Sequence, residues 1–164
     1  MRPVGRKITV TVNGEQYVRE VEPRLLLADF LRHGLQLFGT HVGCEHGVCG
    51  ACTILFDGVA QRSCLIFAIQ ADGAEILTVE SLAQSGKLNL LQKAFHEHHG
   101  LQCGFCTPGM LMTALELLRE NPSPSDQEVR AGISGVLCRC TGYKQIVDSI
   151  NAAALAIAGA EAAE

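Results

Sequence analysis

The stretch GCEHGVCGACTILFDGVAQRSC, residues 43 to 64, sets four cysteines in and just beyond a glycine-rich loop. Cys44, Cys49 and Cys52 follow the spacing C-x4-C-x2-C, with Cys64 further along the chain. That is the plant-type arrangement of thiolates around a [2Fe-2S] cluster. Structural zinc normally uses two separated knuckles, whereas here the loop wraps several ligands around one object. Gly43, Gly47 and Gly50 let backbone amides approach the sulfurs and supply positive φ where the loop needs it.

Four more cysteines lie downstream, Cys103 and Cys106 in QCGFCTPGM and Cys138 and Cys140 in LCRCTGY. Two quartets point to two four-thiolate sites. Zinc is the serious rival, because C-x-x-C pairs also build structural zinc sites; a disulfide framework and buried unpaired thiols are the others. Compartment bears on this choice. The N-terminus, MRPVGRKITV, has neither an apolar export region nor twin arginines, and the longest uncharged run, SINAAALAIAGA at 149 to 160, is too short to span a bilayer. A cytoplasmic chain without a membrane span is expected, where reducing conditions disfavour disulfides.

Length and composition narrow the field further. The 164 residues suit one or two small domains, and 48% hydrophobic with 18% charged residues describes an ordinary globular chain. A net charge of −4 argues against a nucleic-acid partner.

Patterning around the first loop predicts an α+β fold. KITVTVNGEQYVREVE alternates about Asn13-Gly14 and reads as a hairpin. After Pro23, RLLLADFLRHGL carries Leu27, Phe30, Leu31 and Leu35 at helical spacing, ending at Gly34. TILF, the Asp57-Gly58 turn and VAQRSCL form a second hairpin, and AEILTVE at 74 to 80 is a last strand. This order matches a β-grasp ferredoxin over residues 5–80. Residues 81–160 turn helical, with helices expected over 88–100 and 108–121, a shorter one opened by the Ser125–Glu128 capping box, and one from near Thr141. A four-helix bundle is expected. Each cysteine pair of the second quartet precedes a helix N-terminus, which supplies amides and a favourable dipole to an anionic cluster.

CEHGVCGAC with Cys64, QCGFCTPGM and LCRCTGY together resemble the iron-sulfur subunit of the molybdenum hydroxylases, the class of xanthine dehydrogenase, aldehyde oxidoreductase, aerobic carbon monoxide dehydrogenase and bacterial N-heteroaromatic hydroxylases. The resemblance spans roughly residues 5 to 150 and holds at all eight ligand positions. It implies two [2Fe-2S] clusters carrying electrons from a molybdenum-pterin site on a large partner subunit to FAD on a medium one, in a dimer of heterotrimers. It further implies that the cluster of Cys103, Cys106, Cys138 and Cys140 faces the molybdenum, with Gln102 hydrogen-bonding the pterin, and that the cluster of Cys44, Cys49, Cys52 and Cys64 faces the flavin. N-heteroaromatic compounds or carbon monoxide are the preferred substrates.

The chain itself is expected to be a non-catalytic electron-transfer subunit, since four cysteines per cluster leave no open coordination site. Backbone amides from 43 to 52 are expected to set the first potential. A free-standing ferredoxin is the competing function, but it needs neither the second quartet nor the helical half. His96, His98 and His99 read as a solvated helix end, His41 and His46 as non-ligands, Met110 and Met112 as packing, and NPSPSD as an inter-helix turn.

Overall fold

Asn13 and Gly14 both take positive φ, 52° and 82°, as a type I′ turn requires. They join β1 (Arg6–Val12) to β2 (Glu15–Val21) in antiparallel register. Asp57 and Gly58, at 49° and 85°, repeat the device between β3 (Thr53–Phe56) and β4 (Val59–Arg62). These features come from a computed structural model that describes residues 5–83 and 85–161; Met1–Val4, read above for an export signal, lie outside the described residues, as do Gln84 and the last three.

A fifth strand, β5 (Glu75–Leu77), lies parallel to β1 and antiparallel to β3, giving a mixed five-stranded sheet of order β2-β1-β5-β3-β4. It is shorter than the expected 74 to 80. The Asn13 side chain stops it: Thr78 N donates to Asn13 Oδ1 (2.8 Å) and Asn13 Nδ2 donates to Thr78 Oγ1 (2.9 Å), after which Val79–Leu82 winds into a 3-10 turn.

The helix expected directly after Pro23 also changes form. Leu27 N donates to Ile66 O and Ala68 N to Leu25 O, so residues 25 to 27 are held in strand-like pairing with 66 to 68. Only α1 (Leu27–Asp29) remains α-helical, and Phe30–Gly34 continues as a wider π turn. Likewise β4 ends at Arg62, where the Ser63 amide (3.3 Å) and hydroxyl (2.8 Å) both donate to Cys52 O. That clamp brings Cys64 back beside Cys52.

Side-chain alternation divides the sheet between two cores. Ile54 and Ile76 face Ile8, Val10, Leu27, Phe30 and Leu31. Their neighbours Leu55 and Leu77 turn the other way, into a core built from the C-terminal helices. Those helices are α2 (Leu90–Glu97), α3 (Thr107–Glu120), α4 (Asp126–Gly132) and α5 (Lys144–Glu161), which follow the expected segments with ends moved by a few residues. Met110 and Met112 are fully buried in their core. Ser125 and Glu128 form the expected capping box on α4.

Asn89 and Gln92 form a second such box on α2, with Gln92 N donating to Asn89 Oδ1 (2.8 Å) and Asn89 N donating to Gln92 Oε1 (3.1 Å). Asn89→Ala is expected to lower unfolding free energy by about 1 kcal/mol, measured by urea denaturation.

Polar contacts tie the two halves together. Leu137 N donates to Cys49 O (2.9 Å), Arg62 Nη2 to Gly135 O (2.7 Å) and Ala60 N to Glu116 Oε1 (2.7 Å). Gly50, at φ 71°, faces Val136 so closely that a Cβ would stand 2.8 Å from its Cα.

Candidate functional site

All eight cysteines are free thiols, which removes the disulfide framework. The chain brings them together as the two quartets that their spacing suggests. In the first, the loop curls through positive φ at Glu45 (57°), Gly47 (80°) and Gly50 (71°). The curl points amides inward: Cys49 N donates to Cys44 Sγ (3.4 Å), and the amides of His46 and Cys49 hold the Cys44 thiol well down, at about 6. Cys52 and Cys64 sit deeper, packed with Ala28 and Val42. Burial, with the neighbouring Cys52, pushes the Cys64 thiol up to about 11.

The second quartet is more open, with Cys103 and Cys140 exposed, Cys138 intermediate and Cys106 buried. Cys106 is the N-cap residue of α3, with Pro108 in the first turn, and burial pushes its thiol up to about 12, with Cys138 adding to the rise. Cys103 and Cys140 are exposed, and Cys140 Sγ donates to Cys103 Sγ (3.4 Å). The Phe105 amide is the main influence holding Cys103 below the ordinary thiol value. Burial pushes Cys138 upward, but the Thr141 hydroxyl, 3.1 Å away, and the Thr141 amide outweigh it, so that the thiol is held low.

Thiol-only donor sets with inward amides fit a cluster that needs four thiolates and hydrogen bonds to sulfur. Among the described residues, no group of three or more His, Cys, Asp or Glu side chains is set to hold a single metal ion. The buried thiols would give up their protons on loading, so assembly releases protons.

Two further residues support the second site through contacts that the spacing of the cysteines does not indicate. Tyr143 Oη accepts from Cys138 N (2.9 Å), bracing the second site from a residue at φ 68°. His41 Nδ1 lies 2.8 Å from Phe105 O, and the two rings stack with centroids 5.0 Å apart at 25°. That contact joins residues 64 positions apart. His96, His98 and His99 are exposed at the end of α2, as a solvated helix end should be.

The surroundings of the two quartets differ. Gln102, Cys103 and Cys140 are exposed beside the half-exposed apolar residues Leu101, Phe105 and Leu137. Val48, Leu65 and Phe67 are exposed near the first loop, where Leu65 packs over Gly47.

Comparison with known proteins gives both halves a match. A family model for a 2Fe-2S iron-sulfur cluster binding domain matches residues 10–78, and one for a [2Fe-2S] binding domain matches residues 78–151. The chain is 61% identical over 147 residues to the caffeine dehydrogenase subunit gamma of Pseudomonas sp. (strain CBB1), covering 88% of each. It is 57% identical over 144 residues to the nicotine 6-hydroxylase small subunit of Paenarthrobacter nicotinovorans, covering 88% of this chain and 87% of that one. Among solved structures, a chain of quinoline 2-oxidoreductase from Pseudomonas putida 86 superposes with a TM-score of 0.92 at 56% identity, covering 96% of this chain and 99% of that one.

Proposed function

Since the chain belongs to the family of small iron-sulfur subunits of molybdenum hydroxylases, which includes xanthine dehydrogenase subunits, we propose that Cys44, Cys49, Cys52 and Cys64 hold one [2Fe-2S] cluster and Cys103, Cys106, Cys138 and Cys140 the other. Bound there, each cluster supplies one-electron chemistry. The observation that carries the reading is the pairing of sulfurs with amide donors in two quartets, joined directly by the Leu137 N to Cys49 O hydrogen bond.

The chain's own residues bind, orient and tune. Four thiolates saturate each site, so no substrate binds at iron and no acid, base or nucleophile is needed. The amides of His46, Cys49 and Phe105 stabilise charge on sulfur. The working division falls near residue 80, between a ferredoxin unit over 5–80 and a four-helix bundle over 81–160.

The exposed Gln102, Cys103 and Cys140 form the face toward a molybdenum-pterin on a large subunit, with Gln102 as the hydrogen-bonding residue. The Cys44 loop faces FAD on a medium subunit, in a cytoplasmic dimer of heterotrimers. Among the described residues, no helix is long and apolar enough to cross a membrane. Relatives named for caffeine, nicotine and quinoline favour an N-heteroaromatic substrate over carbon monoxide.

Metal analysis of the natively purified complex tests this. About four irons per chain with comparable molybdenum is the expected result. Iron without molybdenum or partner chains indicates a free ferredoxin, and zinc in place of iron overturns the electron-transfer reading.

A further inference from the structure

We infer that Thr141 raises the reduction potential of the second cluster: its hydroxyl donates to the Cys138 sulfur from within a closed ring of hydrogen bonds that Tyr143 completes. The inference rests on the ligand assignment proposed above.

Three bonds make the ring. Cys138 N donates to Tyr143 Oη (2.9 Å), Tyr143 N donates to Thr141 Oγ1 (3.1 Å), and Thr141 Oγ1 lies 3.1 Å from Cys138 Sγ. Chemistry gives the direction of the last bond. A cysteine binds iron as a thiolate, whose sulfur has no proton to give and can only accept. Thr141 Oγ1 already accepts from Tyr143 N, and its one proton is left to point at that sulfur. The Thr141 amide lies 3.5 Å from the same sulfur, so one residue offers Cys138 two donors.

The backbone is shaped to hold the ring. Gly142 and Tyr143 both take positive φ, 64° and 68°, a conformation uncommon for a tyrosine. It turns the Tyr143 side chain back, so that the hydroxyl reaches the Cys138 amide while the side chain packs against the helical core. Thr141 is only 8% exposed, so water competes little for its hydroxyl. A plain turn ahead of α5 would need Thr141 Oγ1 as an acceptor alone, and the sulfur at 3.1 Å is more than such a turn requires. Donation to a thiolate favours the more negative, reduced cluster, which raises its potential. The Cys44 sulfur of the first quartet accepts from a backbone amide, Cys49 N at 3.4 Å, which a substitution at 141 leaves in place.

Redox titration of the natively purified complex, followed by electron paramagnetic resonance, reads the two clusters separately. Thr141→Val keeps the shape of the side chain and removes the hydroxyl. The second cluster's ratio of reduced to oxidised form at fixed ambient potential is then expected to fall on the order of tenfold, about 59 mV for a one-electron couple. The first midpoint stays in place, and Thr141→Ser, which keeps the hydroxyl, stays near the wild-type value. An unmoved second midpoint in Thr141→Val, an equal shift of both clusters, or a shift in Thr141→Ser as large as that in Thr141→Val overturns the inference. If Thr141→Val fails to load the second cluster, Tyr143→Phe decides. It opens the ring with Thr141 intact, and the same ratio is expected to fall about threefold; an unmoved midpoint there overturns the inference. Fewer than two signals in the wild-type complex would remove the ligand assignment itself, and this inference with it.

Discussion

Gly50→Ala is expected to lower unfolding free energy by about 3 kcal/mol and to reduce iron incorporation at both quartets. Two costs add. Gly50 sits at φ 71°, where a Cβ meets its own backbone, at about 1–2 kcal/mol. The same Cβ would press on Val136 Cα at 2.8 Å and still closer on Gly135 O, and overpacking of this kind adds about 1–3 kcal/mol. Neither neighbour is a flexible side chain that can swing aside. Moving that backbone loosens the Arg62 to Gly135 O and Leu137 N to Cys49 O hydrogen bonds, so the strain reaches both cysteine loops.

Gly58→Ala is the matched control, because Gly58 also has positive φ, 85°, yet nothing lies within 4 Å of its Cβ position. It should cost only the conformational part, about 1 kcal/mol. Urea denaturation of the two variants side by side checks the difference. Equal losses would mean that the close approach at Gly50 is of no consequence.

Cys49→Ala is expected to remove one of two cluster signatures in electron paramagnetic resonance and to leave the other. Iron should fall by about half. The asymmetry follows from where Cys49 meets the second half: its carbonyl accepts from Leu137 N, and the substitution keeps that carbonyl. Cys106→Ala should give the complementary loss. Its sulfur is buried at the N-cap of α3 among Cys103 and Cys138. Retention of both signatures in either variant would show the ligand assignment to be wrong.

Local chemistry was legible in the residues, and distant pairing was not. Asn13-Gly14 and Asp57-Gly58 announce their turns because both positions must take positive φ. Ser125 and Glu128 announce a helix start because the box is complete within a few residues. Within each cysteine motif the spacing is likewise local, whereas the meeting of Cys103 and Cys106 with Cys138 and Cys140 is made by the fold. By contrast, the late start of α1 depends on residues 25 to 27 pairing with 66 to 68, and the early end of β5 depends on a side chain at position 13. TILF shows no alternation and its strand is buried at three successive positions, because both of its faces are covered. The His41–Phe105 contact, the Tyr143 brace and the Glu116 cap on Ala60 join elements whose meeting no pattern in the chain records.

The two-faced sheet also bears on the order of synthesis. Leu55 and Leu77 leave the ribosome before α3, the element that covers them, has been made. At ordinary translation rates the interval is on the order of seconds. During that time the newborn N-terminal half carries a greasy stripe on the side away from Phe30 and Leu31. A holding chaperone would bind there, and a chain cut short before α3 would stick to its own copies along the same stripe.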